Sequence, residues 1–327
     1  MQTQLLLAIR VHLDDPHATK RELLQRLWSE YGEIARYYSP KLGMSFIAKH
    51  VSPPNEVHHP RGWHSDVGHQ RKVRSYQVEA EFYQSFAGSC DETCYVPQFI
   101  GLIKEPNHPE QQTLLMEDLQ SSGFTLVHTR VADAQVKTVL SWLAHFHGRF
   151  LNIDISSLWP VGSYWYLATR QAEFAAMEDG ALKHNASRID HRLNHARFQT
   201  LLHGDAKLAN FCFSEQEQVA AVDFQYVGRG VGVKDVMYFL GSCLTDRQLL
   251  EKHDTYVDYY FAALKTALLA RSSSEFSQDK VVKLEQEWRE LIPFAWADFN
   301  RFLLGWSPEH VKINDFMVSQ TERALSL

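Results

Sequence analysis

Short strand-like segments dominate the first third of the chain, and long helical segments dominate the rest. Alternating or short apolar runs, typical of β-strands, occupy residues 33–38, 44–51, 96–103 and 113–116. Residues 22–29 fit either a strand or a short helix, and residues 1–20 give no firm prediction. Apolar residues recur at helical spacing in residues 76–86, 132–150, 236–244, 249–270 and 281–304. The pattern predicts an antiparallel meander followed by a mainly helical region.

The segment 201–224 combines two apolar, strand-like runs with a cluster of polar side chains at their ends. A polar tip separates the runs, so we expect a hairpin. If Asn210 pairs with Asp223, their side chains meet at its open end, because opposite residues of an antiparallel pair lie close together. Asp205 lies just ahead of them in the sequence.

The polar residues of this hairpin have the composition of a phosphate-transfer site. An amide oxygen beside a carboxylate suits Mg²⁺, so Asn210 and Asp223 are the predicted metal ligands. Asp205 is not needed as a metal ligand, so it can accept a proton from an attacking hydroxyl group. His203, Asp205 and Asn210 also have the spacing of the kinase catalytic loop, H-x-D-x-x-x-x-N. Each residue alone is an ordinary turn former, but their joint spacing favours a functional site.

The motifs HGDAKLAN (residues 203–210) and VDFQ (residues 222–225) resemble those of the kinase-like phosphotransferases. This group includes aminoglycoside phosphotransferases, choline kinases and ecdysteroid kinase-like proteins. Gln225, where protein kinases have glycine, is most similar to the ecdysteroid kinase-like branch. The resemblance implies ATP-dependent transfer of the γ-phosphoryl group to a hydroxyl of a small molecule, with ATP and Mg²⁺ as cofactors.

The resemblance also implies an α+β fold of the bilobal protein-kinase type. A small lobe of antiparallel sheet and one helix is expected in residues 1–116, and a hinge in residues 117–123. A larger, mainly helical lobe with the catalytic loop and the acceptor site is expected in residues 124–327. In such a fold Lys207 stabilises the transferred phosphate, and His203 supports the loop.

Lys49 lies in the third predicted strand, where this fold has the lysine that binds the α- and β-phosphates. A lysine in a half-buried strand is also an ordinary edge residue. Its predicted partner is Glu79, one position round from the apolar face of the helix at residues 76–86. Glu81 is the second choice.

Two further segments are predicted to contact the nucleotide from their positions relative to the predicted strands. Gly32, in the first turn of the meander, is the candidate for a phosphate-covering loop. No G-x-G-x-x-G is present there, so a plain hairpin turn fits equally well. The backbone of Glu117, Asp118 and Leu119, which follow the last predicted strand, would face the adenine in this family.

Asp235 precedes the helical run of residues 236–244 and is the predicted N-cap of that helix. The resemblance adds that this aspartate braces the catalytic loop. The short stretch between Asp223 and the helix leaves little room for an activation loop or a platform for a protein substrate. A small-molecule acceptor is therefore favoured.

Two aromatic regions, residues 159–174 and 296–306, are the candidate acceptor pocket. Trp165, Trp296 and Asp298 are candidate substrate residues, because an acid among tryptophans can hold an organic cation. Aromatic residues at helical spacing are more often part of the core, so this second interpretation stays open.

The composition fits a globular protein, with 45% hydrophobic and 22% charged residues. A net charge of −6 argues against a nucleic-acid-binding protein. The apolar run at residues 5–9 is too short for a membrane span or a signal-peptide core, so we expect a cytoplasmic protein without membrane partners. Four cysteines are too few for a disulfide scaffold.

Two other functions share these motifs. A nucleotide-binding pseudokinase or scaffold without turnover would explain the missing glycine-rich loop, but Lys49, Asp205, Asn210 and Asp223 are all present. A protein kinase would use the same catalytic loop, but the short segment after Asp223 argues against it.

Overall fold

The computed structural model describes residues 2–27, 30–53, 66–271 and 276–327. Its strands are β1 (Thr19–Arg26), β2 (Gly32–Ser39), β3 (Met44–Val51), β4 (Phe99–Glu105), β5 (His108–Glu117), β6 (Thr200–Leu202), β7 (Phe211–Phe213), β8 (Val219–Ala221) and β9 (Gly228–Gly230). Its α-helices are α1 (Gln2–Leu13), α2 (Asp66–Ser85), α3 (Asp133–Arg149), α4 (Gln171–Ala176), α5 (Ala181–Asn194), α6 (Val233–Cys243), α7 (Asp246–Ala270), α8 (Gln278–Trp306) and α9 (Asp315–Ser326).

Strands β1 to β5 form an antiparallel sheet in the order β1-β2-β3-β5-β4. β2 and β3 pair without a break from Gly32↔Val51 to Ser39↔Met44. The predicted antiparallel meander is therefore confirmed. Residues 22–26, which the sequence left open between strand and helix, belong to β1.

Different helices cover the two faces of this sheet. Phe46 of β3 lies on one face, in a cluster with Ile9 of α1. Val51 lies on the other face and packs with Tyr76 of α2. Because side chains alternate between the faces of a strand, Lys49 shares the face of Val51 and is turned towards α2.

Several elements differ in extent from the sequence prediction. α1 occupies a segment for which the pattern gives no prediction, and only Ile9 within its described side chains is completely buried. A helix with so narrow a buried face leaves a weak periodic signal. β4 begins and ends later than predicted and β5 is longer than predicted, because Glu105 pairs directly with His108 across a two-residue turn.

The chain after β5 is mainly helical and is organised around α8. α3 packs along α7, and α8 is packed by α5, α6 and α9. Residues 291–303 of α8 are buried without interruption. A helix that is buried all round carries apolar residues on every face, so its aromatic side chains belong to the core.

The predicted α+β fold is confirmed: an antiparallel sheet precedes a mainly helical part, as in kinase-like phosphotransferases. β5 ends at Glu117, while the lobe boundaries at residues 117 and 123 stay a prediction. Among the described residues, no helix combines the length and the apolar character needed to cross a membrane.

We expect that both the packing and the backbone conformation at position 32 require a glycine. Its φ is +138°, and a Cβ there would lie 2.0 Å from the backbone oxygen of His50 on the paired strand β3. Gly43, with φ +68°, has no atom within 4 Å of the same position. We expect Gly32→Ala to lower the free energy of unfolding by about 3 kcal/mol. Gly43→Ala should cost only about 1 kcal/mol for the left-handed backbone.

Urea denaturation of both variants measures this difference. Equal losses would show that the contact with β3 relaxes without cost and that the two glycines serve the same purpose.

Candidate active site

The β7–β8 hairpin carries the predicted metal ligands, but its register differs by one residue from the predicted one. Phe211 pairs with Ala221, and the amide of Val222 donates to the carbonyl of Asn210 at 2.9 Å. Asn210 therefore lies opposite Val222, and the predicted pairing with Asp223 is wrong. The φ of Asp223 is +69°, so the chain leaves the strand at this residue. A pattern of apolar positions does not reveal such a left-handed residue.

The catalytic-loop residues lie between β6 and β7. Asn210 Nδ2 donates to the backbone oxygen of Asp205 at 2.8 Å and to its Oδ2 at 3.1 Å. Lys207 Nζ lies 2.9 Å from the same Oδ2. Burial raises the pKa of the Asp205 carboxyl, although Lys207 opposes the change. A raised pKa makes this carboxylate a stronger base than an exposed aspartate.

Asp235 holds the catalytic loop by its backbone. Its Oδ2 accepts a hydrogen bond from the amide of His203 at 2.6 Å, and its Oδ1 accepts one from the amide of Gly204 at 3.0 Å. The prediction that Asp235 is the N-cap of α6 is wrong, because Gly232 precedes the helix at that position. The carboxylate instead lies in the first turn of α6, completely buried, where the loop uses it.

His203 is a structural residue of the loop. Its Nε2 lies 3.0 Å from the carbonyl oxygen of Val222, and its Nδ1 lies 3.3 Å from the amide nitrogen of Asp205. Burial lowers the pKa of this histidine, which favours the neutral ring. One neutral tautomer satisfies both contacts, since Nε2 then donates and Nδ1 accepts.

Lys49 and Glu79 form a buried ion pair between β3 and α2. Lys49 Nζ lies 2.6 Å from Glu79 Oε2 and 3.7 Å from Asp223 Oδ1. Burial alone would lower the pKa of Lys49, but the two carboxylates raise it above its ordinary value, so the lysine stays charged. Glu81, the second choice, instead accepts a hydrogen bond from Ser85 one turn further on.

Lys72 and Gln225 belong to the same cluster as Lys49, Glu79 and Asp223, although the sequence motifs predict no role for them. Lys72 Nζ donates to Gln225 Oε1 at 2.9 Å, and Gln225 Nε2 donates to Asp223 Oδ1. Burial lowers the pKa of Lys72 to about 8. Lys72 lies seven residues before Glu79, which places both on one face of α2. This spacing is the signal that would have identified it.

Asp223 is the point where these groups meet. Burial would raise the pKa of its carboxyl, but Lys49, Lys72 and Lys207 together hold it below its usual range. Its side chain remains 33% exposed. Asp223 is therefore an ionised carboxylate that solvent can reach, and its role as a metal ligand stays a prediction.

The donor set fits Mg²⁺ shared with phosphate oxygens. The amide nitrogen of Asn210 is engaged by Asp205, which leaves the amide oxygen as the end available to a metal. In the described ranges, no group of three or more His, Cys, Asp or Glu side chains could hold a metal ion. A metal bound by Asn210 and Asp223 would complete its shell with water and substrate phosphates, as Mg²⁺ commonly does.

The predicted hinge residues direct their side chains into the protein. Glu117 accepts a hydrogen bond from the hydroxyl of Tyr95 at 2.7 Å, and Asp118 pairs with Arg36 at 2.7 Å. Leu119 is buried in a small apolar cluster. The carbonyls of Asp118 and Leu119 already accept backbone hydrogen bonds from residues 121–124, and contact of this backbone with the adenine stays a prediction.

The predicted cage for an organic cation does not form. Trp296 and Asp298 are two residues apart on α8, so they point to different sides of the helix. Trp296 is completely buried among aromatic rings. Asp298 is already paired with Lys234 at 3.2 Å and Arg301 at 2.9 Å. Trp165 donates to this neutralised carboxylate at 3.0 Å and is part of the core.

The turn before Gly32 is the predicted phosphate-covering loop, and the structure describes only part of it. Residues 28 and 29 of this turn lie outside the described residues, and Gly32 itself is explained by its close approach to β3.

Comparison with solved structures identifies the fold. A protein from Ralstonia eutropha JMP134, described as a candidate aminoglycoside phosphotransferase, aligns with a TM-score of 0.54 and 11% identity, over 99% of this chain and 95% of that one. A microcompartment-associated aminopropanol kinase aligns with a TM-score of 0.49 and 12% identity, over 99% and 94%. A choline kinase from Streptococcus pneumoniae gives 0.45 and 12%, over 100% and 98%.

Comparison of the sequence with known families gives a match over only part of the chain. No curated protein matches the chain. Residues 163–272 match the sequence model of the ecdysteroid kinase-like family, and this segment contains Asp205, Asn210, Asp223 and Asp235. The resemblance drawn from the motifs is thereby confirmed: the chain shares the fold of the candidate aminoglycoside phosphotransferase, and its central segment is similar to the ecdysteroid kinase-like family.

Proposed function

We propose that the protein is a kinase that transfers the γ-phosphoryl group of ATP to a hydroxyl group of a small molecule. The observation that carries the proposal is the cluster around Asp223, in which a buried lysine–glutamate pair meets the catalytic loop. A core-forming cluster would not leave an ionised carboxylate one-third exposed between three lysines. A phosphate-metal site requires this arrangement.

Each residue of the cluster has a role in nucleotide binding. Lys49, fixed by Glu79, would bind the α- and β-phosphates. The backbone of residues 117–119 would contact the adenine. Asn210 and Asp223 would hold Mg²⁺, which offsets negative charge on phosphate oxygens when bound.

Asp205 performs the proton transfer in this proposal. The acceptor oxygen forms a bond to the γ-phosphorus, the bond to the β–γ bridging oxygen breaks, and ADP leaves with that electron pair. The carboxylate of Asp205 takes the hydroxyl proton. Lys207 offsets charge on the transferred group, while Asp235 and His203 keep the loop in position.

We expect Asp205→Asn to lower the turnover number by about 10²–10⁴-fold, with unchanged affinity for Mg²⁺-ATP. The amide keeps the shape of the side chain but cannot accept the proton. Phosphoryl transfer to a panel of hydroxylated acceptors, measured as ADP release, tests this expectation. Asp154→Asn, at an exposed position, is the matched control. Near-normal turnover in Asp205→Asn would rule out the general-base role.

Asp223→Ala should abolish the Mg²⁺-dependent stabilisation of the protein by ATP. A ligand present at 100 times its dissociation constant stabilises the folded state by about 2.7 kcal/mol, so a thermal-shift assay resolves the loss. The native protein and Asp205→Asn should both retain the shift. If saturating Mg²⁺-ATP does not stabilise the native protein, the kinase proposal fails. Binding without transfer to any acceptor would indicate a pseudokinase.

Lys72→Met should weaken Mg²⁺-ATP binding by about tenfold, because a partly buried cation beside a phosphate contributes about 1.5 kcal/mol or more. Lys72→Arg keeps the charge and should retain most of the affinity. Isothermal titration calorimetry measures both constants. If Lys72→Met binds Mg²⁺-ATP as tightly as the native protein, Lys72 serves only to hold Gln225.

A further inference from the structure

Lys312 lies in the loop between α8 and α9. Its Nζ is 4.7 Å from the ring centre of Tyr238 and 5.7 Å from that of Phe299. The hydroxyl of Tyr238 bonds to that of Tyr164 at 3.2 Å, and the carboxylate of Asp205 acts on the same phenol. Tyr238 is therefore a common neighbour of Lys312 and of the proposed catalytic base, and the two charges also act on each other directly.

Lys312 has no carboxylate within 4 Å in the described part of the chain, whereas Lys49, Lys207 and Lys234 each have one. Burial lowers the pKa of Lys312 to about 8, and the more distant Asp205 carboxylate opposes this change only in part. That is the change expected for an ammonium group that has lost part of its water without a directly paired anion.

Cations of the protein already lie over several aromatic rings near Asp205. Lys312 lies over Tyr238 and Phe299, and Arg170 lies 5.9 Å from the ring centre of Tyr164 and 5.3 Å from that of Phe302. An organic cation would need free aromatic faces or a carboxylate. The carboxylate predicted for that purpose, on α8, is neutralised in the core. The cations beside these rings thus favour an anion.

We propose that the acceptor is a hydroxy acid, whose hydroxyl group faces Asp205 and whose acidic group pairs with Lys312. This inference rests on the proposed phosphoryl transfer. The acidic group takes no part in the bond changes: the hydroxyl oxygen bonds to the γ-phosphorus, ADP leaves, and Asp205 takes the proton. Lys312 positions the acceptor by its charge, and the hydroxyl of Tyr164, which accepts a hydrogen bond from Tyr238, keeps its own proton to donate.

Binding of matched acids and amides tests the proposal without ATP. Glycolate and 3-hydroxybenzoate are compared with glycolamide and 3-hydroxybenzamide at constant ionic strength, by ligand-observed NMR on the full chain. We expect each acid to bind about tenfold more tightly than its amide, the effect of one charge-assisted contact. Choline and ethanolamine should bind more weakly than either acid.

Three variants identify the contact. The preference for acids should disappear in Lys312→Gln and persist in Lys312→Arg, which keeps the charge. It should also persist in Lys265→Gln, a change at an exposed lysine of α7. Equal binding of acids and amides, an acid preference that survives in Lys312→Gln, or tighter binding of the amines would overturn the proposal.

ADP release with the same compounds separates this proposal from the one on which it rests. Transfer from Mg²⁺-ATP to amino alcohols, with no preference for acids, would overturn the hydroxy-acid inference and support the kinase. Acid binding that depends on Lys312, without transfer to any hydroxylated compound, would support the anion site and contradict the kinase.

Discussion

The arrangement of the candidate site depends on one buried carboxylate, Asp235. Its two oxygens accept hydrogen bonds from consecutive amides of the catalytic loop, and Oδ2 also lies 3.1 Å from Nε2 of His147 on α3. An isolated charge at this depth would be very costly. Its partners therefore determine where α3, α6 and the loop can lie relative to one another. The hydrogen bonds from Asp235 to the loop therefore also fix the positions of Asp205 and Asn210.

The phosphate side of the site depends in turn on a balance of charges. Lys49, Lys72 and Lys207 surround Asp223 and keep it ionised, while Gln225 ties the same carboxylate to α2. The glutamine at this position therefore couples the orientation of Asp223 to helix α2. This coupling gives a physical reason for the residue by which the sequence resembles the ecdysteroid kinase-like branch.

The spacing of the loop, the candidate metal ligands and Gln225 can be read from the sequence because these residues are close together in the chain. Residues 203–225 supply the loop, both candidate metal ligands and Gln225, so their spacing can be read directly. The errors arise where geometry departs from regular patterns. The turn at residues 214–218, with Glu217 at a φ of +61°, sets the hairpin register one residue away from the predicted one, and Gly232, not Asp235, precedes α6. Neither feature changes the apolar pattern from which elements are predicted.

The acceptor side could not be predicted in the same way, because it is assembled from distant segments. Tyr164, Tyr238, Phe299 and Lys312 come from four separate parts of the chain, and no spacing connects them. Composition misled the prediction at α8, where an acid between tryptophans suggested a cation site. The helix turns by about 100° per residue, so Trp296 and Asp298 diverge, and the core neutralises the acid. Lys312, beside the rings of Tyr238 and Phe299, has no carboxylate within 4 Å among the described residues. In the proposed complex, the acidic group of the acceptor supplies that direct partner.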